Sequence, residues 1–275
     1  MKIIDCFMFW NEIEILHIRL DILYDYVDHF IICESKKSHS GKVVKDEYNF
    51  IKHKSKFQKY LDKIIFLKIH DELFTKGDTS KNVNVNDWPN ENLQRKYLYN
   101  EIKKFPNDSL VSISDVDEIW DPSKLKQIIE NVKKYKICGI EQYLFYYYLN
   151  CIKSQIWRGT YFILKGDCEY PDILQYIRNN RERLPIYITN GGWHFSWIGD
   201  ENKIKEKFNC IAEHDLIENY SNEKNINICV DEIKDLFGRT GYLGELKIID
   251  IENKIYLPKN IKTYFEIYPN LFKIS

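Results

Sequence analysis

The stretch Leu110–Asp121 reads L-V-S-I-S-D-V-D-E-I-W-D and joins an apolar run to a cluster of acids. Its first five residues are too few for a helix and predict a buried strand. The run ends in Asp115, Asp117 and Glu118. Open α/β sheets bind their ligands where such strands end. The stretch therefore predicts a central strand and a candidate site at its carboxyl end.

A divalent cation is the first interpretation of the acids. Asp115 and Asp117 are two residues apart, so on a regular strand both carboxylates would project to one side. Neighbouring carboxylates repel each other unless a cation lies between them. Mn²⁺ and Mg²⁺ prefer such oxygen ligands, and Mg²⁺ usually takes one or two carboxylates plus substrate phosphates. The alternative is a plain acidic turn, with Asp121 capping a helix that starts at Pro122.

Composition limits the class of protein. The chain has 275 residues, of which 44% are hydrophobic and 29% charged, so it is globular and can bury a sizeable core. A net charge of −1 argues against a broad nucleic-acid surface. Seven cysteines, an odd number without a C-x-x-C pair, predict reduced thiols. The N-terminus is apolar only briefly, and no run is long enough to cross a membrane. We therefore expect a cytoplasmic protein without a signal peptide.

The order of apolar runs predicts an α/β fold. A strand over Lys2–Trp10, a helix ending near Tyr26 and a strand over Val27–Cys33 form a β-α-β unit, which favours parallel strands. Another strand is predicted over Ser154–Lys165. Asp71–Asp87 is rich in Asn, Lys, Asp and Gly and predicts a long loop.

Three polar residues stand out within or beside these elements. Glu34 follows the second strand and would either cap its loop or accept hydrogen bonds from a nucleobase or ribose. Arg95 comes four residues after Glu91 on a predicted helix, so it would form a helix ion pair or meet a ligand phosphate. Glu141 interrupts a long apolar run, where a charge must be paired or line a pocket. It is a candidate general base or one member of a buried ion pair.

Several other residues have two open interpretations. His194 lies in the run G-G-W-H-F-S-W and is either packed or a third metal ligand or phosphate contact. Lys42 and Arg239 lie in glycine-containing loops that suit an anion or a plain surface turn. Asp215 lies on a helix that is predicted to run from about residue 202 towards residue 220.

An ordered set of short stretches resembles glycosyltransferase family 17, and it extends to about residue 245. The matching stretches are Asp5-Cys6-Phe7 to Arg19-Leu20, Val27-Asp28 to Glu34-Ser35, Gly41-Lys42, Trp88 with Glu91-Asn92 and Gln94-Arg95, Ile113 to Ile119, Tyr146-Tyr147 to Asn150-Cys151, Trp157 to Thr160, Gly191 to Ser196, and Asp235 to Arg239.

The resemblance implies one GT-A domain over residues 1–275, with a mostly parallel mixed central sheet flanked by helices. Its Rossmann-like nucleotide-sugar half would cover about residues 1–120, and the acceptor half and C-terminal tail about residues 121–275. The implied donor is UDP-GlcNAc, the implied acceptor a glycan hydroxyl, and the implied outcome inversion. Asp115 and Asp117 match the DxD motif that holds Mn²⁺ or Mg²⁺ on the donor diphosphate. The oligomeric state stays open.

The resemblance also implies roles for single residues. The metal and Arg95 would stabilise charge on the leaving nucleoside diphosphate. A carboxylate must deprotonate the acceptor hydroxyl, and we expect Glu141 in that role, with Asp215 second. The expected donor-binding residues are Asn11, Glu34, Lys42, Trp88, Arg95, Asp115 and Arg239.

Two other classes compete with a transferase. Haloacid-dehalogenase-type phosphatases also place Asp-x-Asp after a strand, but there the motif usually opens the core, and a Thr or Val follows two residues on. Here several strands come first and Ile119 follows. A non-catalytic nucleotide-sugar or carbohydrate-binding module is the third class, and turnover of the donor separates it from an enzyme.

Overall fold

The computed structural model describes residues 1–69, 89–211 and 214–274. Within these ranges the strands are β1 Ile3–Phe9, β2 His29–Ser35, β3 Ile64–Ile69, β4 Leu110–Asp115, β5 Glu118–Trp120, β6 Ile137–Tyr147, β7 Cys151–Trp157, β8 Tyr161–Leu164, β9 Tyr187–Ile198 and β10 Leu246–Ile248. The predicted loop over Asp71–Asp87 and the expected donor contact Trp88 lie outside the described residues.

Helices cover both faces of the sheet. The α-helices are α1 Ile13–Leu23, α2 Asn49–Lys52, α3 Pro89–Ile102, α4 Leu125–Tyr135, α5 Ile173–Asn179, α6 Glu201–Cys210, α7 His214–Tyr220, α8 Glu223–Asp231 and α9 Ile261–Ile267. The 3₁₀ helices are Lys54–Lys63, Pro122–Lys124, Lys165–Asp167, Arg181–Arg183, Gly241–Leu243 and Pro269–Leu271.

The strands join in one mixed sheet. β3, β2, β1 and β4 pair in parallel, as the β-α-β pattern predicts. From β4 the sheet continues through antiparallel β8, β6, β7 and β10. β9 runs parallel to β6 and carries the short β5 on its other side. The predicted α/β class, with a central mixed sheet between helices, is confirmed, and its parallel part lies in the N-terminal half as a GT-A fold requires.

The parallel strands are apolar throughout because both of their faces are buried. On β1, Phe7 and Phe9 point to one core region, whereas Cys6 and Met8 point to the other. α1 and the long 3₁₀ helix cover the first face, and α3 and α5 cover the second. A third core region lies between the ends of β6 and β9 and helices α6 and α8.

Two predicted elements have different bounds in the structure. The strand predicted over Ser154–Lys165 is two strands, β7 and β8, because residues 158–160 turn between them. A Cβ on Gly159 in that turn would lie 2.0 Å from Glu118 Oε1, so the turn requires glycine. The helix predicted to run towards residue 220 is split, since α6 ends at Cys210 and α7 begins at His214.

The remaining structural expectations concern the thiols and the membrane. All seven cysteines are free, and every one except Cys210 is buried. Across the described ranges, no helix combines the length and apolar character that a membrane crossing needs.

A fully buried arginine connects α1 to the acidic turn between β4 and β5. Arg19 binds Asp5 with two hydrogen bonds of 2.8 Å, one from Nε and one from Nη2. Its Nη1 donates to the main-chain carbonyls of Asp115 and Glu118, at 2.9 Å each. Asp5 in turn accepts a hydrogen bond from Ser112 on β4. A side chain of the first helix therefore fixes the backbone that carries the acids.

Replacing Arg19 tests this connection. In Arg19→Met the carboxylate of Asp5 stays buried without its partner, and three carbonyls of the turn lose a donor. We expect the free energy of unfolding in urea to fall by about 3–5 kcal/mol. The control is Lys59→Met, which breaks an exposed pair with Asp21 and should cost about 1 kcal/mol or less. Equal stability of the two variants would contradict the role of Arg19.

Candidate functional site

A cavity of about 600 Å³ opens at the carboxyl ends of β1 and β4, beside the ends of β6 and β9. Its volume is that of a small-molecule site. The expected site residues that line it are Asn11, Asp115, Asp117, His194 and Arg239. The structure thus brings together the acidic strand end, the Gly/Trp-rich strand and the late glycine-flanked loop.

Asp115 ends β4 and is held by two arginines. Arg178 Nη2 lies 2.5 Å from Asp115 Oδ2, and Arg95 Nη2 lies 3.5 Å from Oδ1. Burial still raises the pKa of the Asp115 carboxyl, although Arg178 acts against that rise. About a third of this side chain remains exposed, towards the cavity that it lines.

Asp117 has a separate set of partners, from β9 and α6. Lys207 on α6 lies 3.1 Å from Asp117 Oδ2, and His194 Nε2 on β9 lies 3.4 Å from Oδ1. Burial raises the pKa of the Asp117 carboxyl, but Lys207 and His194 outweigh it and hold that pKa well below its usual range. In the described ranges, no three His, Cys, Asp or Glu side chains group closely enough to hold a metal ion. Asp115, Asp117 and His194 thus do not form a ready-made three-residue group in these ranges, and the metal-ligand role of His194 stays a prediction.

Glu118 is buried, forms hydrogen bonds within the turn and does not line the cavity. Its Oε2 accepts the main-chain N–H of Asp115 at 2.9 Å, and its Oε1 accepts from Trp157 Nε1 at 2.7 Å. Arg178 donates to both oxygens. Burial raises the pKa of Glu118, but Arg178 outweighs it and lowers that pKa to about 2.

These pairs correct one step of the sequence argument. Repulsion between the acids of the strand end was the reason to predict a cation there. The protein already supplies compensating charge, with Arg178 and Arg95 on Asp115 and Lys207 on Asp117. The acids alone therefore do not require a metal.

Arg95 is nearly fully buried, and both of its terminal nitrogens have partners. It donates to Glu91 Oε2 at 3.0 Å, as the four-residue spacing predicts, and to Gln175 Oε1 at 2.6 Å. Its contact with Asp115 confirms that it faces the acidic strand end. Arg95 thus orients Asp115, and it is not among the residues that line the cavity.

Glu34 and Lys42 lie away from the cavity. Glu34 is fully buried, and its carboxylate accepts from Lys45 Nζ at 2.5 Å and from the main-chain N–H groups of Asn49 and Phe50. It caps α2, which is the structural alternative of the two predicted roles. Lys42 is exposed on its loop. Neither residue is placed to contact a donor in this cavity.

The expected base Glu141 is also outside the cavity. Its Oε1 lies 2.5 Å from Arg158 Nη2, and Arg158 also contacts Glu182. The charge in the apolar strand is therefore explained by an ion pair, and its position does not suit a base for this cavity. Asp215 belongs to α7, and its side chain lies outside what the structure describes.

Arg239 is held in the cavity wall by a buried acid. Asp235 accepts from Arg239 Nε and Nη2 at 3.0 Å each and from Lys153 Nζ at 2.5 Å. Arg239 also donates to the hydroxyl of Tyr146 at 3.1 Å. Burial raises the pKa of Asp235, but Arg239 and Lys153 outweigh it and lower that pKa.

Sequence reasoning missed three basic residues that line the cavity: Arg178, Arg181 and Lys207. Lys207 falls within the helix that is predicted from about residue 202, but periodicity does not tell which residue of a basic surface helix faces the sheet. Lys207 shares α6 with Lys203 and Lys205, which are tied to surface glutamates instead. Arg178 and Arg181 are three residues apart, a spacing that would share one face of a continuous helix. In the structure α5 ends at Asn179 and Arg181 begins the next 3₁₀ helix, yet both residues line the cavity.

Asp235 gives a pH-dependent prediction. A carboxylate whose pKa is lower in the folded state than its ordinary value of 3.8 stabilises the fold above that pH, and this contribution disappears as the pH falls through the folded pKa. Asp235→Asn leaves the fully buried Lys153 without a counter-charge. We expect Asp235→Asn to lower the free energy of unfolding by about 3–5 kcal/mol at pH 7. The difference in the free energy of unfolding between wild type and Asp235→Asn should become steadily smaller as the pH falls below about 4.

Urea unfolding of both proteins from pH 7 to pH 3 measures this difference. Asp231→Asn, at an exposed aspartate at the end of α8, is the control and should track wild type throughout. A pH-independent cost for Asp235→Asn would show that the cluster acts by packing alone.

Comparison with solved structures finds partial likenesses of low identity. The chain is similar to a 4-diphosphocytidyl-2C-methyl-D-erythritol synthase, with 12% identity over 68% of this chain and 88% of that one, at a TM-score of 0.38. It is similar to S. aureus TarS 1–349, with 9% identity over 84% and 70%, at a TM-score of 0.39. It is also similar to a mannose-6-phosphate isomerase from Helicobacter pylori, with 12% identity over 66% of each chain, at a TM-score of 0.30. These scores carry no functional argument.

Comparison at the level of sequence gives a clear family. No curated protein matches the chain significantly. The model of glycosyltransferase family 17, in contrast, matches residues 1–241. That span includes the acidic turn, the Gly/Trp-rich strand and the Asp235–Arg239 segment, which together form the cavity wall. The chain belongs to glycosyltransferase family 17.

Proposed function

We propose that this glycosyltransferase moves GlcNAc from UDP-GlcNAc to a glycan hydroxyl with inversion, in the cavity at the strand ends. One observation carries the proposal: within the described ranges, most buried side-chain polar atoms without a partner belong to residues that line this cavity. They are Gln94 Oε1, Gln155 Oε1, Arg181 Nε and His194 Nδ1. Buried polar atoms normally have partners, so a polar ligand is the simplest explanation for this clustering.

The two sides of the cavity differ in a way that suits a donor and an acceptor. The β1 side presents Trp10, Asn11 and Gln94 at the end of the parallel sheet, where nucleotides bind in open α/β folds. The opposite wall is aromatic and suits sugar rings, which offer an apolar face beside their hydroxyls. Its aromatic residues are Tyr146, Trp157, Trp197, Tyr220 and Phe237.

The choice of UDP-GlcNAc, inversion and a glycan acceptor rests on the family resemblance. The charge of the cavity supports a diphosphate in particular. Arg178, Arg181, Lys207 and Arg239 all line it. Guanidinium groups bind phosphate oxygens through paired, charge-assisted hydrogen bonds. They also favour the transition state, in which negative charge grows on the leaving diphosphate.

A divalent cation, Mn²⁺ or Mg²⁺, remains part of the proposal, with Asp115 and Asp117 as its protein ligands. Both carboxylates line the cavity and offer hard oxygen atoms, and Mg²⁺ needs only one or two such groups beside substrate phosphates. When bound, it would neutralise charge on the diphosphate. Because Arg178 and Lys207 already contact these acids, the cation binds in competition with them.

The acceptor hydroxyl must lose a proton to a carboxylate as it attacks. We propose Asp215 for this role. The helix that carries it, α7, borders the cavity through Leu216 and Tyr220. Glu141 is displaced from the role by its pair with Arg158.

Donor binding predicts a metal-dependent thermal shift. UDP-GlcNAc at 100 times its dissociation constant, with Mn²⁺, should raise the melting temperature by about 5–10 °C. The shift should disappear in Asp117→Ala and persist in Asp46→Ala, which changes an exposed aspartate. If UDP-GlcNAc raises the melting temperature equally well without metal, the donor assignment stands and the cation is not required. The absence of any shift across nucleoside diphosphate sugars would overturn the donor site.

The base gives a second prediction. Asp215→Asn should lower the rate of sugar transfer by about 10²–10⁴-fold, while Glu141→Gln stays within a few-fold of wild type. Release of UDP measures both variants. The reverse order would return the base to Glu141. If wild type binds the donor but never turns it over, with any glycan or with water, the non-catalytic binding module is the better description.

A further inference from the structure

Arg181 differs from the other arginines of the site in lacking a firm partner. Arg178 donates to both Asp115 and Glu118, and Arg239 donates to both oxygens of Asp235. Each therefore has a carboxylate within hydrogen-bond distance. Their charges are balanced within the protein.

The guanidinium of Arg181, in contrast, has unused donors. Its Nε is buried and has no hydrogen-bond partner. The nearest carboxylate, Glu182, is 4.0 Å away, and Nη1 reaches only the main-chain carbonyl of Arg178 at 3.5 Å. Burial and the like charge of Arg178 both lower the pKa of Arg181. The guanidinium is partly exposed, but its buried Nε–H has no acceptor within hydrogen-bond distance, so an anionic ligand oxygen would stabilise it.

The position of Arg181 identifies where that anion lies. Its guanidinium packs over the Trp157 ring at 4.9 Å, and Trp157 packs on the ring of His194 at 4.7 Å. His194 contacts Asp117, while Arg178, three residues before Arg181, contacts Asp115. Arg181 therefore belongs to the cavity wall that surrounds the acidic turn, where the proposed donor places its diphosphate.

We infer that Arg181 binds a non-bridging phosphate oxygen of the donor and stabilises the leaving nucleoside diphosphate. This inference rests on the proposed function. In the transfer, the bond between the anomeric carbon and the diphosphate oxygen breaks, and its electron pair stays on that oxygen. The acceptor oxygen forms the new bond to the anomeric carbon, and its proton goes to the base. Arg181 meets the charge that the leaving group gains, so it contributes both to binding and to the rate.

Binding of UDP and of uridine to the full chain, measured by calorimetry in EDTA and in Mn²⁺, tests the inference. The variants are Arg181→Met, which removes the charge, and Arg181→Lys, which keeps the charge but loses the planar donor pair. Arg183→Met is the matched control, because it removes the same charge from an exposed arginine on the same 3₁₀ helix. Thermal unfolding of each variant confirms that it is folded.

We expect Arg181→Met to weaken UDP binding about 10-fold or more, with Arg181→Lys in between. Uridine binding should stay within about twofold in every variant, since uridine has no phosphate for a charge-assisted hydrogen bond. The turnover number with UDP-GlcNAc should also fall in Arg181→Met and be unchanged in Arg183→Met.

Each contrary result has a distinct meaning. If wild type binds no nucleoside diphosphate, the proposed function fails and the inference fails with it. If wild type binds UDP and Arg181→Met binds it equally well, the inference alone is overturned. Unchanged UDP binding with a raised KM for the glycan would assign Arg181 to an anionic acceptor and would also overturn it.

Discussion

The buried contact between Arg19 and the acidic turn is the constraint on which the site depends. One guanidinium binds Asp5 at the first strand, Ser114 on the fourth, and three carbonyls of the turn that follows. Buried carbonyls need donors, and Arg19 supplies one to each of the three, although the Glu118 carbonyl also accepts from Thr160 Oγ1. Because α1 supplies the arginine, the shape of the turn depends on the packing of α1 against the sheet.

Once the turn is fixed, its acids meet charges from different parts of the chain. Asp115 is paired by α3 and α5, and Asp117 by α6 and β9. The ion pairs therefore join the two halves of the sheet around the cavity. Pairs of this kind contribute little net stability, because desolvation offsets their attraction. Their consequence is geometric, since they hold cationic groups around the cavity in which we propose that the donor binds.

The sequence was informative where a local pattern has one physical meaning. Apolar runs predicted the parallel strands, and Asp121 before Pro122 predicted the cap. It was misleading for Glu141, because the cost of a charge in an apolar run is equally well met by a partner such as Arg158, which comes 17 residues later. It could not find Lys207, whose partner is 90 residues away and whose helix carries similar lysines.

Buried polar side chains in and around this cavity fall into two kinds, those whose polar atoms have partners within the protein and those whose atoms have none. Arg19, Glu34, Glu118 and Asp235 are buried, and each has its charge met by the protein, so they hold backbone and neighbouring side chains in place. Arg181 and His194 keep buried polar atoms without partners. A folded chain tolerates such atoms mainly where binding a ligand satisfies them, because each one lowers the stability of the free protein. The unpaired atoms therefore indicate the proposed ligand site more directly than the acids do, because the acids already have charged partners.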